Sequence, residues 1–422
     1  MRAFAANLLA LLFLCTCASV LYIWTGLEDG TGRYRRGART HGAASAPAGS
    51  PPDRSLKTFR ALLAVPPVLG ILNHSIVEER TDTSGKRKSN LDLNKGTAIA
   101  TPLNPKLEEL VEDGVFWSER LEALLPQAFS GEHARTWIET ARVSEVVSLE
   151  PGCGRTSNRL ATFSDGSRAC VRYGINEDQV QGETLSYYLA SLLGMTSLPP
   201  ITLSQLSPDS PQWAAVTESI GDLQWSWKAV VSLTEWVSNL TGVVTPAPLR
   251  HDGKGLHPVR EQLANKTLGE LLELVQWTDL IVFDYLTANF DRLVSNLFSL
   301  QWDPRVMERD TSNLQRTPGG ALVLIDNEAG LVHGYRVLQM WERYHDELLG
   351  SVCLFRKRTA HRVLQLHRLR DAAVRLRELY RLREPLAPEL GFLSEEHATI
   401  LQTRMDRLHR HILHCKERYS RL

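Results

Sequence analysis

The chain has 422 residues, 43% of them hydrophobic, with 48 basic and 48 acidic side chains and a formal net charge of +0. That balance excludes the basic excess with which proteins grip a phosphate backbone, so no nucleic-acid partner is expected. The apolar content suffices for one large core or for two lobes plus a tail.

Ala3 to Trp24 is an uncharged run of 22 residues behind Arg2. Its length suits a type II membrane anchor or a long signal peptide. Small residues from Cys15 to Ser19 follow the apolar Leu8 to Leu14, the pattern of a cleavable signal, with cuts after Ala18 or Ser19. Arg2 faces Arg33, Arg35, Arg36 and Arg39 across this run, so charge asymmetry leaves its orientation undecided. Both readings of 1–27 place the body of the chain in the secretory lumen, with membrane contact only through this segment. Residues 28–104 are rich in Gly, Ala, Ser, Thr, Pro and charge, and read as a largely disordered stem with a short apolar interlude from Ala61 to Leu72. Arg33-Tyr34-Arg35-Arg36 reads as a solvated basic run or a convertase site.

Sequons at Asn73, Asn239 and Asn265 suit a lumenal, glycosylated body. Outside the leader, Cys153, Cys170, Cys353 and Cys415 form an even set that allows two disulfides in three connectivities. None of their spacings is that of a zinc site.

Residues 105–245 are expected to be a β-rich lobe. Leu107, Leu110, Val111, Val115 and Phe116 recur at helical spacing, and Val143–Leu149, Leu160–Phe163 and Ala169–Tyr173 read as strands. Gly152-Cys153-Gly154 lies in the first turn and Asp165-Gly166-Ser167 in the second. A helix follows, with Asn176 as cap, Gln179 at the capping-box position, and Leu185, Tyr188, Leu189, Leu192 and Leu193 on its apolar face. In a kinase the first hairpin roofs the nucleotide phosphates, a cation on the third strand meets them, and a helix carboxylate holds that cation. Gly152 and Gly154, Arg172, and Glu183 occupy those places, with Arg172 where kinases carry Lys. Cys170 and Arg172 share a face of the strand beneath the Gly loop, so a Cys153–Cys170 bond would pin the roof and leave Cys353 for Cys415.

Residues 246–422 are expected to be a helical lobe, entered after the strand Val230–Leu233 and a hinge at Thr234–Val237. Thr267-Leu268-Gly269-Glu270 opens a long helix that delivers the chain to Asp291. Asp291 and Asn296 stand five apart, Leu297–Leu300 reads as a short strand, and Ala321–Ile325 as another that ends at Asp326. Transfer of a phosphoryl group to a hydroxyl needs a carboxylate base and metal ligands beside the phosphates. Asp291 is the expected base, and Asn296 and Asp326 the ligands of Mg²⁺ or Mn²⁺ carried with ATP. Asp326-Asn327-Glu328 replaces D-F-G, Trp302 to Gly320 reads as an inserted hairpin loop, and no A-P-E follows, so control by activation-loop phosphorylation is not expected. Arg356 to Leu422 is helical in pattern, and His409, His411 and His414 read as an amphipathic face rather than a metal site.

The runs Gly152-Cys153-Gly154-Arg155, Asn158-Arg159-Leu160, Gln181-Gly182-Glu183, Gln276–Leu280, Phe283–Arg292, Ile325–Gly330 and His411–Lys416 resemble the four-jointed family from about Gly114 to Tyr419. That family is similar to the secretory-pathway kinases. The resemblance implies an α+β, bilobal kinase-like fold and a Ser/Thr kinase of the Golgi lumen, partly secreted, acting on cadherin repeats of the Fat and Dachsous type in cell polarity and growth. It also implies Asp291 as base, Asp326 as metal ligand and Glu183 as the helix carboxylate. The alternative is a catalytically silent secreted binding module on the same fold.

Overall fold

An Asp-Gly pair overrides the helical spacing where the structure begins. The computed structural model describes residues 107–419 apart from Ile175; the leader, the stem and the Asn73 sequon lie outside the described residues. The helix expected through Phe116 stops at Leu110, and β1 (Val111–Glu112) turns back into β2 (Phe116–Trp117). Asp113 and Gly114 take φ of 48° and 76°, the left-handed pair that a tight hairpin demands.

Helix α1 (Gly131–Val143) starts at Ser130, whose hydroxyl accepts the His133 N–H at 3.1 Å. Val143 therefore ends a helix, and the strand expected from that residue, β3, spans Val146–Pro151. β4 (Arg159–Phe163), β5 (Arg168–Arg172), β6 (Ile201–Gln205) and β7 (Val230–Glu235) complete an antiparallel sheet in the order β3-β4-β5-β7-β6. Alternation sorts its residues. Ala161, Phe163, Ala169, Val171, Val231 and Leu233 pack with Trp137, Trp213 and Ile220 into a small core. Cys170 and Arg172 point to the other face, on which α2 (Glu177–Leu193) lies. Gly194, at φ 76°, ends that helix with a left-handed cap.

β8 (Thr241–Val244) leaves the sheet and joins β9 (Asp310–Arg316) and β10 (Leu322–Leu324) in a second sheet, β10-β9-β8. The segment expected to be an inserted loop thus supplies a strand. Between β8 and β9 run α3 (Leu268–Thr287) and α4 (Leu293–Ser299). Thr267 and Glu270 close both halves of a capping box on α3. Of Leu297–Leu300, expected as a strand, the first three residues are helical because α4 takes them in, and Leu300 is its C-cap. Helices α5 (Val332–Arg336), α6 (Leu338–Gly350), α7 (Lys357–Leu369), α8 (Ala372–Arg383) and α9 (Glu395–Tyr419) follow. The larger core joins these helices to α2 and α3. A β-rich part and a helical part with the site between them make this an α+β, bilobal kinase-like fold. Among the described residues no helix is long and apolar enough to cross a membrane.

Cys153 is bonded to Cys170, with Cα atoms 5.7 Å apart, and Cys353 to Cys415 at 5.3 Å. Their loops of 17 and 62 residues correspond to stabilisation of roughly 3 and 4 kcal/mol through the unfolded chain.

Candidate active site

Asp291 owes its position to the way α3 ends. Ala288 takes a left-handed conformation at φ 53°, and the Asn289 carboxamide then accepts the Asp291 N–H at 3.0 Å. The carbonyls that the helix end leaves over find partners from distant elements. Arg404 of α9 donates to Tyr285 O, Tyr335 donates to Leu286 O at 2.6 Å, and Leu331 N–H donates to Thr287 O at 2.6 Å. The Arg292 guanidinium, fully buried, grips Asp284 through two nitrogens and also donates to Asn327 Oδ1 at 2.9 Å and Ile325 O at 3.1 Å. This one side chain fixes the Asp291 loop to the end of β10.

The Asp291 carboxylate accepts from Asn313 Nδ2 at 3.0 Å. Burial, reinforced by the charge of Asp326, pushes its pKa up to about 6. Asn313 lies on β9, in the stretch expected to be a loop, and sequence reasoning missed it; the alternation of Thr311, Asn313 and Gln315 with Leu314 was the available strand signal.

Asp326 leaves β10 with φ 55°, a left-handed turn that Asp tolerates, and its side chain is 26% exposed. The Arg172 guanidinium bonds both Asp326 and Glu328, and stands 3.7 Å from Glu183. Glu328 also meets Arg155 at 2.5 Å and accepts from Gln179 at 3.2 Å. Gln179, placed at the capping-box position, thus turns to Glu328, and Asn176 makes no side-chain cap bond. Burial opposes the Arg172 charge, but Asp326, Glu183 and Glu328 outweigh it and raise its pKa. Burial likewise pushes Glu183 up to about 7, with Arg172 pulling the other way.

The loop between β3 and β4 roofs this cluster. Gly154, at φ 90°, sits so that an added Cβ would stand 3.9 Å from Asp326 Oδ2. The Cys153–Cys170 bond and a 3.2 Å bond from Asn158 Nδ2 to Cys153 O hold the loop down. Gly152 lies against Leu160 instead, and its added Cβ would stand 3.3 Å from that residue's Cβ. From below, Gly182 lets α2 touch the segment after Asp326, because a Cβ there would come within 2.7 Å of Glu328 O and 3.0 Å of Gly330 O. Gly182→Ala is accordingly expected to cost about 1–3 kcal/mol, read as a lower urea midpoint at unchanged slope.

The structure therefore brings together Gly154, Arg172, Glu183, Asp291 and Asp326. Asn296 lies in a helix rather than ahead of a strand. It sits one turn into α4, its N–H donating to Arg292 O at 3.3 Å, with its side-chain NH₂ buried and unpartnered. No hydrogen bond among the described residues joins it to Asp291 or Asp326. Asn239 and Asn265 are both exposed, at φ 59° and 62°.

The donors fit a hard divalent cation. Carboxylate oxygens prevail, acids outnumber the guanidinium groups, and Glu183 Oε2 is buried without a hydrogen-bond partner. The compact sulfur and nitrogen set Cys353, His411 and Cys415 is a different case, since its two sulfurs are joined in a disulfide. His411 Nε2 donates to Val352 O at 2.8 Å, and His409 stacks on His367.

Residues 132–418 match the family model of the four-jointed box protein middle domain. Four-jointed box protein 1 of Xiphophorus maculatus is 58% identical over the whole of both chains. The chain belongs to the four-jointed box family. A Drosophila melanogaster relative named extracellular serine/threonine protein kinase four-jointed is 36% identical, the match covering 75% of this chain and 63% of that one. Among solved structures, a Golgi casein kinase is similar over 68% of this chain and 76% of its own, with 12% identity and a TM-score of 0.48. Within this family member, Arg292 and its partner Asp284 fall inside the run Phe283–Arg292, and Gly182, Glu183 and Glu328 inside Gln181–Glu183 and Ile325–Gly330; the structure gives each a contact at the site.

Proposed function

We propose that this chain is a secretory-pathway Ser/Thr kinase that transfers the γ-phosphate of ATP to lumenal or extracellular polypeptides. Cadherin repeats of the Fat and Dachsous type are the proposed acceptors, with a role in polarity and growth, and the Golgi lumen and the extracellular space the proposed locations. The observation that carries this reading is the convergence of Asp291, Asp326 and the Arg172–Glu183 pair beneath the Gly154 loop. Asp291 orients the acceptor hydroxyl and takes its proton. Arg172 meets the phosphates, Glu183 and Glu328 aim its guanidinium, and the loop shuts water out. Asp326, with Asn296, would hold Mg²⁺ or Mn²⁺, which when bound would neutralise charge on the phosphates. Glycans on Asn73, Asn239 and Asn265 are part of the same lumenal reading.

The name of the Drosophila relative supports the reaction class. With Mn²⁺ and γ-labelled ATP, the purified full chain is expected to label a recombinant cadherin-repeat acceptor, and Asp326→Ala to lose at least about 10²-fold of that rate. A wild type that labels no acceptor, and whose melting temperature ATP with Mn²⁺ leaves in place, would sink the proposal. One observation favours a second reading, a catalytically silent binding module: the Arg172 guanidinium already neutralises Asp326 and Glu328, as a metal would. In that case divalent ions leave the melting temperature unchanged.

A further inference from the structure

A row of aromatic rings leads from the proposed base to the surface. Phe290, the residue before Asp291, is buried and stacks on Trp341 with centroids 5.0 Å apart and planes 1° from parallel. Trp341 meets Phe298 edge-on at 5.2 Å, and Phe298 meets Trp302 edge-on at 4.9 Å. The outer end is open. Trp302 is 68% exposed, and Met340, beside Trp341 in the chain, is 56% exposed. Phe290 is packed in the core, while the Trp302 indole at the other end of the row keeps most of its surface in water and continuous with the half-buried Phe298 and Trp341.

We propose that Phe298, Trp341 and Trp302 form the docking face for an apolar side chain of the acceptor polypeptide, placed within about five residues of the hydroxyl that meets Asp291. This rests on the phosphoryl-transfer reading. Two observations choose the occupant. The row begins on the residue bonded to the base, so the flanking residues of a polypeptide that delivers a hydroxyl to Asp291 are within reach of its outer rings. The three centroid steps span at most about 15 Å, the reach of four or five extended residues.

The polar groups next to Trp302 are already taken up within the protein. Gln301 Nε2 donates to Phe298 O at 3.1 Å and to the Tyr344 hydroxyl at 3.0 Å, Asp303 is paired with Arg309, and Arg343 lies over the Tyr344 ring. With Asp303 paired, Gln301 bonded and Arg343 held over Tyr344, the surface suits a leucine or phenylalanine better than a charged residue or the hydroxyls of a sugar.

The test uses the full chain and a peptide library with one central Ser, in which each flanking position in turn carries Leu, Phe, Asp or Lys. Phosphate transfer is measured on the wild type, and peptide binding by fluorescence anisotropy on Asp291→Asn. Leu or Phe at one position within five residues of the Ser is expected to raise kcat/KM about 10-fold, with a matching gain in binding. Trp302→Ala is expected to flatten both preferences while keeping its melting temperature, and Leu382→Ala, at a 78% exposed position on α8, is expected to keep them. A flat library, or a preference that survives Trp302→Ala, overturns the proposal. So does binding of a chondroitin hexasaccharide that Trp302→Ala abolishes while no peptide binds. If the wild type phosphorylates nothing, the transfer reading fails, and anisotropy alone decides the docking face by the same criterion.

Discussion

Asp291→Asn is expected to slow phosphate transfer by about 10²- to 10⁴-fold, the range that a positioned base contributes. The substitution is nearly isosteric, and the carboxamide oxygen keeps an acceptor for Asn313 Nδ2, 3.0 Å from the native carboxylate. The Arg292 contacts to Asp284, Asn327 and Ile325 do not involve the carboxylate, so the loop stays tied. What disappears is the proton acceptor. Because burial and the Asp326 charge push the Asp291 pKa up to about 6, transfer by the wild type should fall as pH drops through that value and the carboxyl becomes protonated. The residual rate of the variant should lack this acidic limb, while ATP with Mn²⁺ still raises its melting temperature. A variant within threefold of the wild type would remove Asp291 from the mechanism.

Arg172→Met should cost about 3–5 kcal/mol of stability at pH 8, since it leaves the Glu183 and Glu328 carboxylates buried and deprives Asp326 of its partner. The sign of the pH dependence follows from the acids. Burial raises Glu183 from an ordinary 4.5 to about 7 even beside Arg172, and raises Glu328 as well. An acid whose pKa is higher in the folded protein binds its proton there first, so folding loses stability as pH climbs through 4.5 toward the folded value. Without the guanidinium both values rise further. The gap between variant and wild type should therefore narrow at pH 5, as measured by urea unfolding at both pH values. Mn²⁺ should raise the melting temperature of the variant more than that of the wild type, because a divalent ion supplies the missing charge. A gap that does not change with pH would show that the lost side chain mattered for its volume rather than its charge.

Much of this site was legible in the chain because it rests on local rules. Thr267 and Glu270 announced the helix that carries Asp291, the Gly-containing hairpin and alternating strands placed Arg172 on the face toward Glu183, and Asp326 closed an apolar strand. The errors arose where one local preference overrode another. Asp113-Gly114 forced a turn into a stretch whose apolar residues fell at helical spacing. Leu297–Leu300 is too short for its period to separate strand from helix, and the turn begun at Leu293 decided it. The roles of Asn313 and Arg155 were not legible because they exist only through partners far away in sequence. No spacing rule relates Asn313 to a carboxylate 22 residues earlier, or Arg155 to Glu328 across the cleft.

The hydrogen bond from Arg404 to Tyr285 joins residues 119 positions apart, and it sets an order of events during synthesis. When Asp291 first emerges from the ribosome, α5 and α9, from which Tyr335 and Arg404 come to satisfy the end of α3, have yet to emerge. Until those helices emerge, the loop that bears the base keeps open carbonyls in water. On the proposed function, competence for phosphate transfer should thus arrive only after α9 has emerged.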